Sequence, residues 1–194
     1  MRAIAPMSQV ANLGERDRRL CDLAHVVSAC VPNAIQVPIE GRCKRTFKLA
    51  LIAAANGIRL DNAHDALADA EATLPVAQLL RERTPQIWSA LVANARKAKV
   101  LQLIENNSVL LLSEMFGGNP FNMIVAPISV SCGNPNEWAV FDLQFDPERL
   151  LIADNIALRD AMNGKVKMIR RISANAQPSL LSIEFAPADV RFRR

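Results

Sequence analysis

The sequence predicts an α+β protein, with a helical first half and a β-rich second half. Three observations carry this. Up to about residue 83 the apolar residues recur at steps of three and four, which is the helix period. After Asn106-Asn107 short apolar runs alternate with turn signals, among them Gly117-Gly118-Asn119-Pro120 and Gly133-Asn134-Pro135-Asn136. Between the two halves, Thr84-Pro85 marks a boundary, because Pro85 suits the first turn of a new helix and Thr84 its cap. The expected division is into residues 1–84 and 85–194.

Each element follows from its local pattern. Residues 1–19 are polar, with Gly14 and a charged run from Glu15 to Arg19, and predict a loose arm. Leu20, Leu23, Ala24, Val27 and Cys30 form the stripe of a first helix, Arg18 to Cys30, which Pro32 stops. Pro38, Gly41 and the basic Arg42, Lys44, Arg45 and Lys48 predict a loop. A second helix is expected from Thr46 to Asn56, ended by the left-handed stop signal Asn56-Gly57. Asp61 and Asn62 suit the cap of a third, running to about Arg83 with Leu67, Ala70, Leu74, Ala77 and Leu80 as its stripe. Pro75 should kink that helix or remove one of its backbone hydrogen bonds. A fourth helix starts at Pro85 and carries Ile87, Trp88, Leu91 and Val92, then Val100, Leu101 and Ile104 beyond Arg96-Lys97-Ala98-Lys99. Strands are expected at 109–112, 123–125, 139–143, 166–172 and 179–185, with a short helix from Asp154 to Met162. The first half has hardly any strand signal, so its helices need another surface on which to bury their apolar faces.

Composition sets bounds. A chain of 194 residues suits one ordinary domain or two small ones. The net charge of +4 allows an anionic partner but is too mild to select nucleic acid. Cysteines stand at 21, 30, 43 and 132 with no C-x-x-C spacing, which favours reduced thiols. Cys21, His25 and Cys30 make only a weak metal-binding grouping, with no second ligand pair. No apolar run approaches the ~20 residues of a membrane span. The N-terminus carries no signal-peptide core, so the cytoplasm is the default location and no membrane partner is expected.

The chemistry concentrates in Asn62-Ala63-His64-Asp65-Ala66-Leu67-Ala68-Asp69. His64 and Asp69 have the spacing H-x-x-x-x-D, which by itself is common. Five residues turn a helix through a net angle of roughly 140°, so two helical positions would not face one point. A His at the fraying N-terminus can still bend toward a carboxylate one turn on, and a helix N-terminus favours an anionic substrate. Asp65 reads as a first-turn charge favouring the helix dipole.

Several segments share one resemblance and occur in one order. They are Phe47-Lys48-Leu49, Ala54-Ala55-Asn56-Gly57-Ile58, the His64–Asp69 segment, Ala72-Thr73, Ala95-Arg96-Lys97-Ala98-Lys99, Met115-Phe116-Gly117 and Val125-Ala126-Pro127. Together they resemble bacterial exodeoxyribonuclease I, a DEDD-type 3′→5′ exonuclease of single-stranded DNA, across most of residues 20–185. The resemblance implies the helical C-terminal part of a ribonuclease H-like exonuclease domain over 1–84. It implies a small antiparallel β-barrel of Src-homology-3 type over 85–194.

The resemblance also implies two divalent ions, usually magnesium, that stabilise the entering and leaving oxygens of a phosphodiester. His64 matches the general base and Asp69 the last metal-binding carboxylate. Arg96, Lys97 and Lys99 are candidates for contact with DNA phosphates, as is the basic excess at Lys165, Lys167, Arg170, Arg171, Arg191, Arg193 and Arg194. The family's first motif, Asp-x-Glu, and its second metal-binding Asp have no counterpart here, and Asp17 and Asp22 do not lie in matching sequence. The chain is expected to be shortened at both ends. It would then cleave single-stranded DNA only with a second chain supplying the missing carboxylates; a homodimer partner is the other candidate, suggested by the unpaired helical faces. The alternative is a catalytically inactive single-stranded-DNA-binding or protein-interaction module.

Overall fold

The computed structural model describes residues 13–41, 44–60, 66–116, 119–164, 167–188 and 190. The chain divides into two compact units, Met1–Pro85 with Gly117–Asn119, and Gln86–Phe116 with Pro120–Arg194.

The first unit is helical. Helix α1 spans Leu13–Cys30 and ends two residues before Pro32. It begins earlier than the apolar stripe predicts, so residues 13–19 are helical rather than a loose arm. The expected basic loop contains a two-stranded hairpin instead: β1, Ile39–Glu40, pairs antiparallel with β2, Lys44–Arg45. Gly41 between them has φ +59°, a left-handed conformation that a residue without Cβ adopts freely. Helix α2 spans Leu49–Ala55 and α3 spans Ala66–Arg83.

Both α1 and α2 pack on α3. Leu20, Ala24, Val26 and Val27 of α1, Leu49, Ile52 and Ala53 of α2, and Ala72, Val76 and Leu80 of α3 are buried. Alanines at such positions let helix axes approach closely. Helix α3 continues through Pro75. That ring removes one N–H from the ladder, and burial of Val76 and Leu80 on the same helix supplies the compensation.

The second unit combines helices with a five-stranded sheet. The predicted fourth helix is two helices, α4 (Pro85–Ala93) and α5 (Lys97–Glu105). The break has a cause. Asn94 is buried, and its Nδ2 donates to the carbonyls of Pro178 (3.2 Å) and Leu180 (2.7 Å). The Thr84 hydroxyl donates to Leu80 O at 2.8 Å and closes α3.

The strands are β3 (Leu110–Phe116), β4 (Asn119–Ser131), β5 (Asn134–Asp142), β6 (Ile169–Ser173) and β7 (Leu180–Ser182), in the spatial order β6-β5-β4-β3-β7. The registered pairs are antiparallel. Short helices α6 (Glu148–Leu151) and α7 (Asn155–Asn163) sit between β5 and β6 in the chain. Asp154 caps α7 by accepting from the backbone N–H groups of Ile156 and Ala157. This is the helix expected from Asp154 to Met162, whereas α6 was not expected.

One face of the sheet holds the larger core. Leu110, Leu112, Met123, Val125, Val140, Ile172 and Leu180 cluster there with Val100 and Ile104 of α5. The other face, at β5 and β6, buries Phe141 and Ile169 against Ala161 of α7. The sheet is strongly curled. Arg170 on β6 donates to Glu114 Oε2 on β3 at 2.8 Å, although β5 and β4 lie between. Three flat strand spacings would separate them by roughly 14 Å. Register shifts in β4 at Pro127/Ser129 and Val130/Ser131 are bulges of the kind that bend a strand. Among the described residues the strands nevertheless keep a linear order with two ends, β6 and β7, and no closed barrel is found.

Candidate functional site

The residues singled out by sequence fall in two places, one in each unit. In the first unit, His64 and Asp65 lie outside the described residues, and Asp69 is the fourth residue of α3. The flanks of this segment are well defined. Helix α2 ends in a Schellman motif: the N–H of Ile58 donates to Ala53 O (2.9 Å) and that of Gly57 to Ala54 O (3.1 Å). Gly57 has φ +77°, the left-handed conformation this turn requires. The Asn56-Gly57 stop signal therefore acts as expected.

In the second unit, Arg96 is the N-cap of α5, Lys97 its first residue and Lys99 its third. All three are exposed. The Arg96 backbone carbonyl accepts from Lys99 N and Val100 N, while the Lys99 ammonium donates to Gln102 Oε1 at 3.0 Å. Cations at a helix N-terminus add to the positive end of the backbone dipole instead of offsetting it. The sum is a local positive potential suited to phosphate.

Arg170 is committed to Glu114. Lys165, Arg191, Arg193 and Arg194 lie outside the described residues, while Lys167 and Arg171 are exposed.

Two carboxyls are perturbed. Burial pushes Asp142 above the ordinary carboxylate range, opposed by the Gln144 backbone N–H and by the nearby Arg170 guanidinium. Burial also raises Asp22, opposed by Arg18.

The weak grouping of Cys21, His25 and Cys30 behaves as packing. The Cys21 thiol donates to Phe47 O at 3.0 Å, and the buried His25 ring meets Phe47 edge-on at 6.2 Å. Among the described residues no three His, Cys, Asp or Glu side chains gather as metal ligands. The described side chains therefore do not by themselves provide the ligand set that the resemblance implies. Sequence reasoning read Asn56 only as a helix stop and Arg83 only as a helix end. In the structure they bond to each other, Arg83 Nη1 donating to Asn56 Oδ1 at 3.3 Å.

No family model matches the chain. Exodeoxyribonuclease I of Escherichia coli is 33% identical over 155 residues, covering 76% of this chain and 33% of that protein. Over most of its length the chain is similar to exodeoxyribonuclease I. The enzyme of the same name from Haemophilus influenzae is 30% identical over 174 residues, covering 86% of this chain and 37% of its own length. The crystal structure of E. coli exonuclease I in complex with a dT13 oligonucleotide superposes with a TM-score of 0.71 at 29% identity, covering 88% of this chain and 39% of that one. The chain thus spans about a third of the length of the exodeoxyribonuclease I relatives it matches. Among the described residues no helix is long and apolar enough to cross a membrane.

Proposed function

We propose that this chain carries the last motif of an exodeoxyribonuclease I-type active site and takes part in 3′→5′ hydrolysis of single-stranded DNA. The observation that carries this reading is the similarity over 76% of the chain to a named exodeoxyribonuclease I. It is supported by the fold shared with an oligonucleotide-bound relative. On this reading His64 is the general base that orients or deprotonates the attacking water. Asp69 is one of the carboxylates that hold divalent metal. Such ions, magnesium in the usual case, supply charge stabilisation at the entering and leaving oxygens when bound. A single carboxylate does not hold a pair of magnesium ions, which need several oxygen ligands, so on this reading further acidic groups beside Asp69 complete the site.

Arg96, Lys97 and Lys99 at the positive end of α5 are proposed to bind the phosphates of the strand. The finer fold assignment belongs to the same reading. The helical unit corresponds to part of a ribonuclease H-like domain, and the curled sheet to a barrel of Src-homology-3 type.

The exposed cations at α5 also favour a second reading, a module that binds single-stranded DNA without cutting it. One assay separates the two. Nucleotide release from the 3′ end of single-stranded DNA is measured with magnesium, for the chain alone and mixed with the part of E. coli exonuclease I that precedes the match. Release on mixing, abolished by both His64→Ala and Asp69→Asn, supports the nuclease. Salt-dependent binding without release supports the module. Neither binding nor release rejects both.

A further inference from the structure

Three large apolar side chains of the sheet unit stand in solvent. Leu151, the last residue of α6, Ile152 beside it and Ile156 in the first turn of α7 are 84%, 89% and 71% exposed. Local structure keeps them there. Asp146 Oδ1 accepts from Glu148 N at 3.0 Å at the start of α6, and Asp154 Oδ1 accepts from Ile156 N and Ala157 N at the start of α7. Helix α7 packs on the sheet through Leu158, Ala161 and Met162, and Ile156 lies roughly 140–240° around the helix from them. An apolar patch that a fold holds in water marks a contact surface.

Charge says what kind of surface fits it. Asp146, Glu148, Asp154 and Asp160 flank the three apolar residues in sequence, and all four are exposed; Arg149 and Arg159 offset two of them. The segment 144–163 is thus acidic in a chain whose net charge is +4. Its complement is apolar and basic, and this chain carries such a face. Val92, 47% exposed in the last turn of α4, is followed by the exposed Arg96, Lys97 and Lys99 at the start of α5. Residues 86–104 contain no Asp or Glu. Both faces belong to one compact unit and both stay exposed, so they do not meet within one copy.

We propose that the acidic, apolar segment at Leu151, Ile152 and Ile156 docks on the basic face at Val92, Arg96, Lys97 and Lys99 of a second copy of this chain. The two faces differ, so the contact is head-to-tail, and each pair leaves one acidic and one basic face open. Assembly then continues or closes in a ring. Faces this small give weak, transient contact, and salt weakens it further by screening the charges. The cations are those proposed to meet DNA phosphates, so a strand and a second copy exclude each other there; the contact itself does not depend on that reading.

Sedimentation velocity of the full chain, from micromolar to millimolar concentration, tests this. In low salt the wild type should sediment faster as concentration rises, and high salt should remove the effect. Ile152→Asp or Ile156→Asp spoils the acidic, apolar face, and Lys97→Glu spoils the basic one. Each variant alone should stay monomeric, with the circular dichroism of the wild type. Mixed, an Ile152→Asp chain and a Lys97→Glu chain should form a pair that grows no further, because one intact face of each kind remains. A wild type that stays monomeric throughout overturns the proposal and leaves the patch to a different partner. Association that survives either kind of substitution, or a mixture that fails to pair, overturns it as well.

Discussion

The two units bury their cores in different ways. The helical unit packs helix on helix through small residues, with Ala24, Ala53 and Ala72 fully buried beside Val27, Ile52, Val76 and Leu80. The sheet unit packs larger side chains, Leu110, Met123, Val125, Val140 and Leu180, from strands distant in sequence. Each unit buries polar side chains as well, His25, Thr46 and Thr84 in the first and Asn94, Ser113 and Asp142 in the second. The contrast is one of side-chain volume: small residues let helices approach, while larger ones fill the space under a curled sheet. Helix α3, which carries Asp69, sits in the unit whose core consists of closely packed helices.

The comparison has a convenient probe. Both tryptophans, Trp88 and Trp138, belong to the sheet unit. Their fluorescence reports that unit, while far-UV circular dichroism weights the helices. The largest expected effects are cavities. Leu80→Ala should cost about 2–5 kcal/mol and lower the dichroism transition in urea while fluorescence holds its midpoint. Leu180→Ala should do the reverse with similar size. Coincident transitions in both variants would mean that the units unfold as one, and the contrast fails.

Next comes Asn94→Ala, which deprives Pro178 O and Leu180 O of their buried donor. A loss of about 1–3 kcal/mol is expected in the fluorescence transition. An unchanged midpoint would show that the α4–α5 break has another cause.

Smaller still is Glu114→Gln. The Arg170–Glu114 pair is part-exposed, so roughly 0.2–1 kcal/mol is expected, shrinking in high salt. If salt leaves the difference between wild type and variant unchanged, the pair does not act as a charge contact across the curl.

The smallest effect concerns pH. The Asp142 carboxyl is raised by burial in the folded state, so that state binds the proton more tightly than the unfolded chain. The resulting stabilisation is complete below the ordinary carboxylate value and fades as pH rises through the higher folded value. Asp142→Asn should flatten this slope in the sheet unit as pH rises above the ordinary carboxylate value. The same slope in wild type and variant would sink the assignment to Asp142.

Local patterns made much of this fold legible. Apolar spacing located α1, α2 and α3, Asn56-Gly57 marked a real helix end, and Asp154 marked a real cap. The single fourth helix failed at Asn94, whose amide is called away by carbonyls 84 and 86 residues later. No local period carries that. The same holds for the curl, because Glu114 and Arg170 are 56 residues apart in sequence. The hairpin at Ile39–Arg45 is too short to give an alternating pattern, and basic residues hid it. For the candidate site, the ordered resemblance pointed to His64 and Asp69, while the bond between Asn56 and Arg83 emerged only in three dimensions.

The turn at Asn56-Gly57 also bears on chemical ageing. An asparagine followed by glycine can cyclise when the glycine nitrogen attacks the side-chain amide carbon and expels ammonia. In the folded chain that nitrogen already donates to Ala54 O, and the amide is held on both its atoms. The fold thus shields a chemically fragile bond, and storage under partly unfolding conditions would convert Asn56 to an acid that can no longer donate to Gln36 O and Ile52 O.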